Sequence, residues 1–440
     1  MSKFKQLTIA CLLLGATVTA SAANGVFGGG DGSNGNPYIV EDAADLDAIR
    51  KSSSLSKSYK LAKDIDLTDY LAAGGNGYAA WGSEGWLPIG ESSAPFTGTF
   101  NGDNHTISGL WINRPTPAMY GFSVGLFGYI TPSASPLGGF IENLNVEIAP
   151  AGIISGNGSA GGLLGATSNV FSASGVAAMT IIKNCHVTGG DISGYGSVGG
   201  LVGRCNFSVN NSSSTCNVII PVKNKDYAGG LIGYLLANTE VVNCYATGNV
   251  TIESNYAGGL IGGYDSNSKT IRNCYASGNV SAGNYAGGFI GKDGSSSKYY
   301  NCFFDTETSG LENGVGEGTD SDNITGLPTA EMKQKDSFTD WDFKTVWKID
   351  ENISYPYFGL TEEEPNSIET AKALSNHKIY PNPTNGMVYI ETADAAALKL
   401  YDMLSNLLIE TKGKQVDMSG FATGIYLLQV DGETFKVVKK

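Results

Sequence analysis

SGYGSVGGLVG (193–203) decides how this chain folds, because Gly194, Gly196 and Gly199 in it spell GxGxxG, the spacing of a dinucleotide-binding loop. A phosphate loop needs a strand before it and a helix after it, with the helix N-terminus facing the anion. Here GLVGRCNF follows, which is a strand pattern, and the same spacing recurs at Gly156, Gly158 and Gly161 just before AGGLLG. Recurrence at equivalent places indicates a corner rule instead of a ligand.

Working outward, VGLFG (124–128), AGGLLG (160–165), VGGLVG (198–203), AGGLIG (228–233), AGGLIG (257–262) and AGGFIG (286–291) repeat one pattern. The glycine before Leu or Phe falls at 125, 162, 200, 230, 259 and 288, so the later steps settle to 30, 29 and 29 residues. Such a period is the signature of a solenoid. A second column recurs as KNCHVTGG (183–190), STCNV (214–218), VNCYATGNV (242–250), RNCYASGNV (272–280) and YNCFFD (300–305). From Cys185, Cys216, Cys244 and Cys274 the next marker glycine is 15, 14, 15 and 14 residues away, whereas the return half of the coil varies from 23 to 14. The extra length lies in polar segments, ATSNVFSASGVAAMT (166–180) and RCNFSVNNSSST (204–215), of the kind that map to one edge of a solenoid.

The unit is rich in Gly, Thr, Val, Asn and Ser and lacks helical apolar spacing, so it reads as a parallel β-helix. A coil of 29 residues traces roughly 95 Å, and neighbouring coils stack ~4.8 Å apart, turning repeated residues into ladders. Gly162, Gly200, Gly230, Gly259 and Gly288 then mark corners. Leu163, Leu201, Leu231, Leu260 and Phe289 form one ladder, with Leu164, Val202, Ile232, Ile261 and Ile290 beside it. Strand alternation predicts that at most one of these two columns faces the core, unless the second is covered.

Composition agrees with this reading. Of 440 residues only 16% are charged, and 60 are glycine. Net charge is −14, and only Arg50, Arg114, Arg204 and Arg272 of the 28 basic residues are arginine, which argues against nucleic acid as a partner. Residues 1–22 read as a secretory signal peptide, with lysines, an apolar stretch from Leu7 to Ala20 and Ala20-Ser21-Ala22 as the cleavage site. Cys11 lies too early in that stretch for a lipoprotein site.

The repeats resemble the GLUG-motif repeats of secreted and surface-exposed bacterial proteins, over roughly Gly125 to Asp305. That resemblance implies an all-β chain, a right-handed parallel β-helix over 23–360, with opening coils at 23–122, repeats at 123–305 and a closing segment at 306–360. NPYIVEDAADLDAIR (36–50), YKLAKDIDL (59–67), GWLPIG (85–90) and FTGTFNGDNHTISGL (96–110) look like opening segments, a short helix at Ala43 to Lys51 covering the open end. Trp341, Phe343 and Trp347 look like a cap burying the last coil.

A polar linker (361–376) leads to KIYPNPTNG (378–386), LKLYDMLSN (398–406), GIYLLQV (424–430) and FKVVKK (435–440). Residues 377–440 resemble the type A C-terminal sorting domain of the type IX secretion system of Bacteroidota. Pro381, Asn382, Pro383, Gly386, Gly424, Tyr426, Lys439 and Lys440 match that pattern. The resemblance implies a small β-sandwich that directs export across the outer membrane, with attachment of the passenger to surface lipopolysaccharide.

Candidate chemistry is sparse. Gly121-Phe122-Ser123-Val124-Gly125 matches a nucleophile elbow, but Ser123 occupies the column that later coils fill with Tyr227, Tyr256 and Tyr285. His105, His186 and His377 are isolated, and there is no HExxH. Cys185, Cys216, Cys244, Cys274 and Cys302 read as a ladder of buried thiols, with disulfides or a metal as alternatives. Asn184, Asn243, Asn273 and Asn301 precede four of them and read as an amide ladder. No cofactor is expected beyond calcium as a structural ion at Asp31-Gly32-Ser33-Asn34 or Asp265-Ser266-Asn267. The functional expectation is a non-catalytic, adhesin-like surface protein binding glycan or matrix through the variable segments 129–140, 166–180 and 204–215, with Asn169, Asn206, Asn210 and Asn211 as edge residues. A polysaccharide-degrading enzyme or a ligand-free spacer are the alternatives.

Overall fold

The computed structural model describes residues 27–359 and 378–440, apart from 116–122, 168–179, 222–226, 265–269, 319–322, 402–406 and shorter stretches of one to three residues. The signal peptide, the linker 361–376, Asn169, the loop Asp265 to Asn267, His377, Pro381 and Pro383 lie outside the described residues. The chain divides into two compact units, 1–359 and 360–440.

One coil of the first unit displays the rule for the rest. Glu240–Ala246 and Val250–Ile252 build a long wall, Tyr256–Gly258 a short wall and Ile261–Tyr264 a third. Every strand pairs in parallel register with its counterpart in the coils on either side: Val241 with Val209 and Ile271, Tyr256 with Tyr227 and Tyr285, Ile261 with Ile232 and Ile290. The unit is thus a parallel β-helix in which backbone groups are satisfied between coils and inward columns make one continuous core. At the N-terminal end, Asp42 caps the helix Ala43–Ala48, whose Leu46 joins that core together with Ile49.

The long wall bends at asparagine. Asn143, Asn184, Asn211, Asn243, Asn273 and Asn301 all have φ between 48° and 52°, a left-handed conformation that Asn tolerates better than most residues. Each is an extra residue in the long wall, within a strand or, for Asn273 and Asn301, between two, so the inward residues around it, Ile271 and Cys274 for example, are three apart instead of two. The side chains form an amide ladder, Asn184 Nδ2 donating to Asn143 Oδ1 at 2.8 Å, Asn243 to Asn211 at 3.0 Å and Asn273 to Asn243 at 3.2 Å.

This register corrects the cysteine column. Leu144, Cys185, Ser212, Cys244, Cys274 and Cys302 follow the bend in successive coils, so Ser212 takes the place that sequence spacing assigns to Cys216. Cys216 lies beyond the bend, where a Cβ on Gly248 would come within 1.9 Å of its carbonyl oxygen. All six described cysteines are buried free thiols. Cys185, Cys244, Cys274 and Cys302 donate to the carbonyl two residues back at 3.1 to 3.4 Å, and burial pushes Cys185 and Cys302 up to about 12.

The paired apolar columns also differ from expectation. Leu163, Leu201, Leu231, Leu260 and Phe289 are fully buried, and so are Leu164, Val202, Ile232, Ile261 and Ile290. Residues of the first column sit in the turn between the short and third walls, outside any strand, so alternation does not apply to them. What permits that turn is glycine. A Cβ on Gly229, Gly258 or Gly287 would come within 2.5 to 2.6 Å of the backbone nitrogen of Gly262, Gly291 or Gly316 in the next coil, and one on Gly200, Gly230 or Gly259 within 2.2 Å of the next marker glycine's oxygen.

Residues 328–358, which follow the last long-wall strand Ile324–Leu327, lie on the flank of the solenoid. His186, Ser213, Tyr245, Tyr275 and Phe303 form one outward column of the long wall. Trp341, Trp347, Phe338 and Phe358 pack over it, Trp341 Nε1 donating to Asn301 O at 3.1 Å and Tyr275 OH to Pro356 O at 2.7 Å. The expected end cap is therefore a strap along several coils, because the exposed aromatic column needs cover. The Phe358 ring lies tilted by 42° against His186, with 5.2 Å between ring centroids.

The second unit pairs a three-stranded antiparallel sheet (Lys378–Tyr380, Met387–Glu391, Gln415–Asp417) with a four-stranded one (Leu407–Gly413, Ala396–Tyr401, Gly424–Val430, Glu433–Lys439). Val388, Ile390, Leu398, Leu400, Leu428 and Val437 form the core of this small β-sandwich.

Two outcomes are expected. Gly259→Ala should lower stability by about 2 kcal/mol or more through overpacking, while Gly35→Ala, where a Cβ meets nothing within 4 Å, should leave denaturant midpoints unchanged. Burial pushes the His186 imidazole down from the usual 6.5 to about 4, so a lifted strap binds the proton more readily than a closed one. Strap closure should be complete above about pH 6.5 and weaken as pH falls toward 4, by at most about 3 kcal/mol. Tryptophan fluorescence against pH should show the change, reduced in His186→Gln.

Candidate functional site

The short wall is only three residues long, so its first residue points outward, its Ala points into the core and its Gly lies against the next coil. That first residue is Tyr227, Tyr256 and Tyr285 in three consecutive coils. Parallel pairing superimposes the rings: Tyr227 and Tyr256 stack at 5.0 Å, and Tyr256 and Tyr285 at 5.2 Å, each pair inclined by 13°. Tyr285 ends the row and is 40% exposed. At the other end, Ser197 pairs with Tyr227.

The third wall supplies the second side of this corner with the column Arg204, Tyr234, Gly263, Lys292 and Glu317. Tyr234 lies 4.6 Å from the Tyr227 ring, and Arg204 stands over Tyr234 at 5.6 Å. Gly263 makes room for Tyr227, since a Cβ there would come within 2.8 Å of the ring. Lys292 Nζ sits 5.0 Å from the Tyr256 ring centroid and 3.8 Å from Glu317, whose Oε2 accepts from Tyr256 OH at 2.9 Å. Burial and then the Glu317 hydrogen bond raise the Tyr256 phenol above its usual range. Beside the rings runs an exposed amide pair, Asn284 Nδ2 donating to Asn255 Oδ1 at 2.9 Å. The corner offers aromatic surface, phenol hydroxyls and amides at one constant repeat, a set suited to holding a hydroxyl-rich ligand.

Other candidates separate. Segment 204–215 is not a loop: Val202–Cys205 and Ser208–Ser214 are strands of the walls. Asn206 is buried, Asn210 is half-buried between Lys183 and Val242, and Asn211 is a rung of the structural amide ladder. Those asparagines are thus spread over wall and core because the polar stretch completes a coil instead of leaving it. Ser123 precedes the strand Phe127–Ile130, with no helix after it. His105 Nδ1 lies 3.2 Å from Asp64 Oδ1, and His186 lies under the strap. Asp31 Oδ1 accepts from Ser33 N at 2.9 Å, and hydrogen bonds from Ser33 and Asn36 hold its carboxyl below the usual range. Among the described residues no three His, Cys, Asp or Glu are grouped to hold a metal ion.

In the second unit, Asn382 Oδ1 accepts from Val438 N at 2.9 Å, tying the first loop to the last strand. Gly386 N donates to Thr384 Oγ1 at 3.0 Å, and Tyr426 OH donates to Ala422 O at 2.9 Å. Gly424 opens a strand and pairs with Lys439, whose Nζ donates to the Lys440 carbonyl oxygen at 2.8 Å. Thr384, which sequence reasoning passed over, is buried and central. Its hydroxyl donates to Met387 O at 2.9 Å, its backbone N donates to Val438 O at 2.8 Å, and its carbonyl accepts from Lys440 N at 2.9 Å.

Comparison with known proteins agrees with both halves. Residues 226–251 match the GLUG motif and residues 378–440 match the secretion system C-terminal sorting domain. A protein of Evansella cellulosilytica, described by name as a Gly-rich membrane protein, is 39% identical over 145 residues, 31% of this chain and 15% of its own length. Halomucin of Haloquadratum walsbyi is 33% identical over 376 residues, 83% of this chain. The chain thus spans 15% and 4% of the lengths of these curated relatives. A Bacteroides ovatus crystal structure named for an immunoglobulin A1 protease superposes with a TM-score of 0.52 at 20% identity, over 76% of this chain and 95% of that one, a likeness of fold. No helix among the described residues is long and apolar enough to cross a membrane. The sorting domain marks a β-helix protein exported by type IX secretion to the cell surface or the extracellular space.

Thr384→Val keeps the shape and removes the hydroxyl, so thermal denaturation should show a loss of about 1 kcal/mol in the second unit, with less protein reaching the surface or medium. Unchanged unfolding and export would show that the hydroxyl is dispensable.

Proposed function

We propose that the exported chain is a non-catalytic, adhesin-like glycan-binding protein whose ligand surface is the tyrosine corner. The observation that carries this reading is the row Tyr227, Tyr256 and Tyr285, stacked on the outside of the solenoid and not folded into its core. Stacking turns the ring faces toward one another, so a sugar beside the row meets ring edges and phenol tips, and packs its C–H face on the exposed end ring Tyr285, while neighbouring amides bond the sugar hydroxyls. Asn255, Asn284 and Lys292 surround the rings with such partners. Attachment to lipopolysaccharide through the sorting domain would display many copies side by side, so weak individual contacts sum to useful avidity.

The test is a glycan array probed with the mature protein, with Tyr285→Ala as control, alongside assays for sugar-chain and immunoglobulin A cleavage. Wild-type binding reduced at least about tenfold in the variant, with intact substrates throughout, is the expected result. Release of new sugar ends or of immunoglobulin fragments would overturn the non-catalytic assignment.

A further inference from the structure

We propose that the tyrosine corner is a track matched in repeat to an extended β-linked glycan, which lies parallel to the solenoid axis with one sugar per coil. This rests on the glycan-binding reading above and adds linkage class, direction and length. Parallel pairing forces every side chain of the corner to recur at the coil spacing, and the ring separations of 5.0 and 5.2 Å record it. The amide pair Asn255 and Asn284 keeps the same step because each precedes a ladder tyrosine. A surface built from one repeated step is best met by a polymer with the same step.

Among polymers the step discriminates. An extended peptide presents same-face side chains every ~6.6 Å, so it drifts out of phase with the rungs within three coils. Nucleic acid is disfavoured by a net charge of −14. In an extended β-linked chain of pyranoses, the advance per residue is the span of one ring between its linkage oxygens, the length of one rung. An α-linked chain coils and leaves the track. The track is also finite. Ser197 replaces tyrosine before Tyr227, and Tyr285 lies on the last strand of the short wall. Three rungs therefore limit recognition to about three consecutive sugars.

The experiment is calorimetric titration of the mature exported protein with β-1,4- and α-1,4-linked oligosaccharides of glucose, and β-1,4-linked oligosaccharides of xylose and N-acetylglucosamine, from one to six residues long. Affinity should rise with length up to about three sugars in a β-linked series and then level off, with the α-linked series weaker at every length. Tyr256→Ala, which breaks the row in the middle, should abolish the length dependence, and Tyr256→Phe, which keeps the ring, should retain most of it. Equal affinity for one sugar and six, or preference for the α-linked series, overturns the track while leaving glycan binding intact. A folded protein that binds no sugar in these titrations or on the array overturns both.

Discussion

Everything in the first unit depends on backbone meeting backbone at one corner. Gly229, Gly258 and Gly287 leave 2.5 to 2.6 Å between a would-be Cβ and the nitrogen of Gly262, Gly291 or Gly316, distances no side chain tolerates. Because those strands touch without intervening side chains, the chain turns within two residues, and both Leu231 and Ile232 point inward. The same turn directs Tyr227 and Tyr234 into contact on the outside. Core and candidate ligand surface are thus two sides of one steric allowance, obtained against the entropy that glycine loses on folding.

The second recurring device is the asparagine bend, which answers a different need. A left-handed residue inserts an extra position into the long wall, and Asn supplies it while its amide bonds the rung above or below. The thiol that follows is a small buried filler with a carbonyl acceptor at 3.1 to 3.4 Å, so Ser212 can replace it in one coil. Conformation constrains the asparagine more tightly than packing constrains its neighbour, and this is why the amide column is complete where the cysteine column is not.

Aromatic residues divide between two flanks with opposite fates. Tyr245, Tyr275 and Phe303 lie under the strap that carries Trp341 and Trp347, whereas Tyr227, Tyr256 and Tyr285 are left half-buried or exposed. An outward aromatic column is costly to leave wet, so a covered one belongs to stability, and one that ends in the exposed Tyr285 beside amides and a lysine has the composition of a recognition surface.

Much of this was legible in the residues. The AGGLIG repeat specified a solenoid of β-strands because its period and its glycines admit little else, and KIYPNPTNG to the terminal Lys440 specified the sorting domain. Aligning the coils by cysteine, though, put Cys216 where Ser212 stands, since spacing alone does not reveal which residue must take φ near +50°. Polar segment 204–215 looked like a loop, because a strand whose inward positions include Ser212 and Ser214, paired with Cys244 and Ala246 in the next coil, carries little apolar signature. Tyr227, Tyr256 and Tyr285 were visible as a column, but only their stacking at the coil step, beside Lys292 and Asn284 from other segments, turned them into a candidate site. Local conformation and period are written along the chain. Which outward column the strap covers depends on segments distant in sequence, and was decided by the tertiary structure.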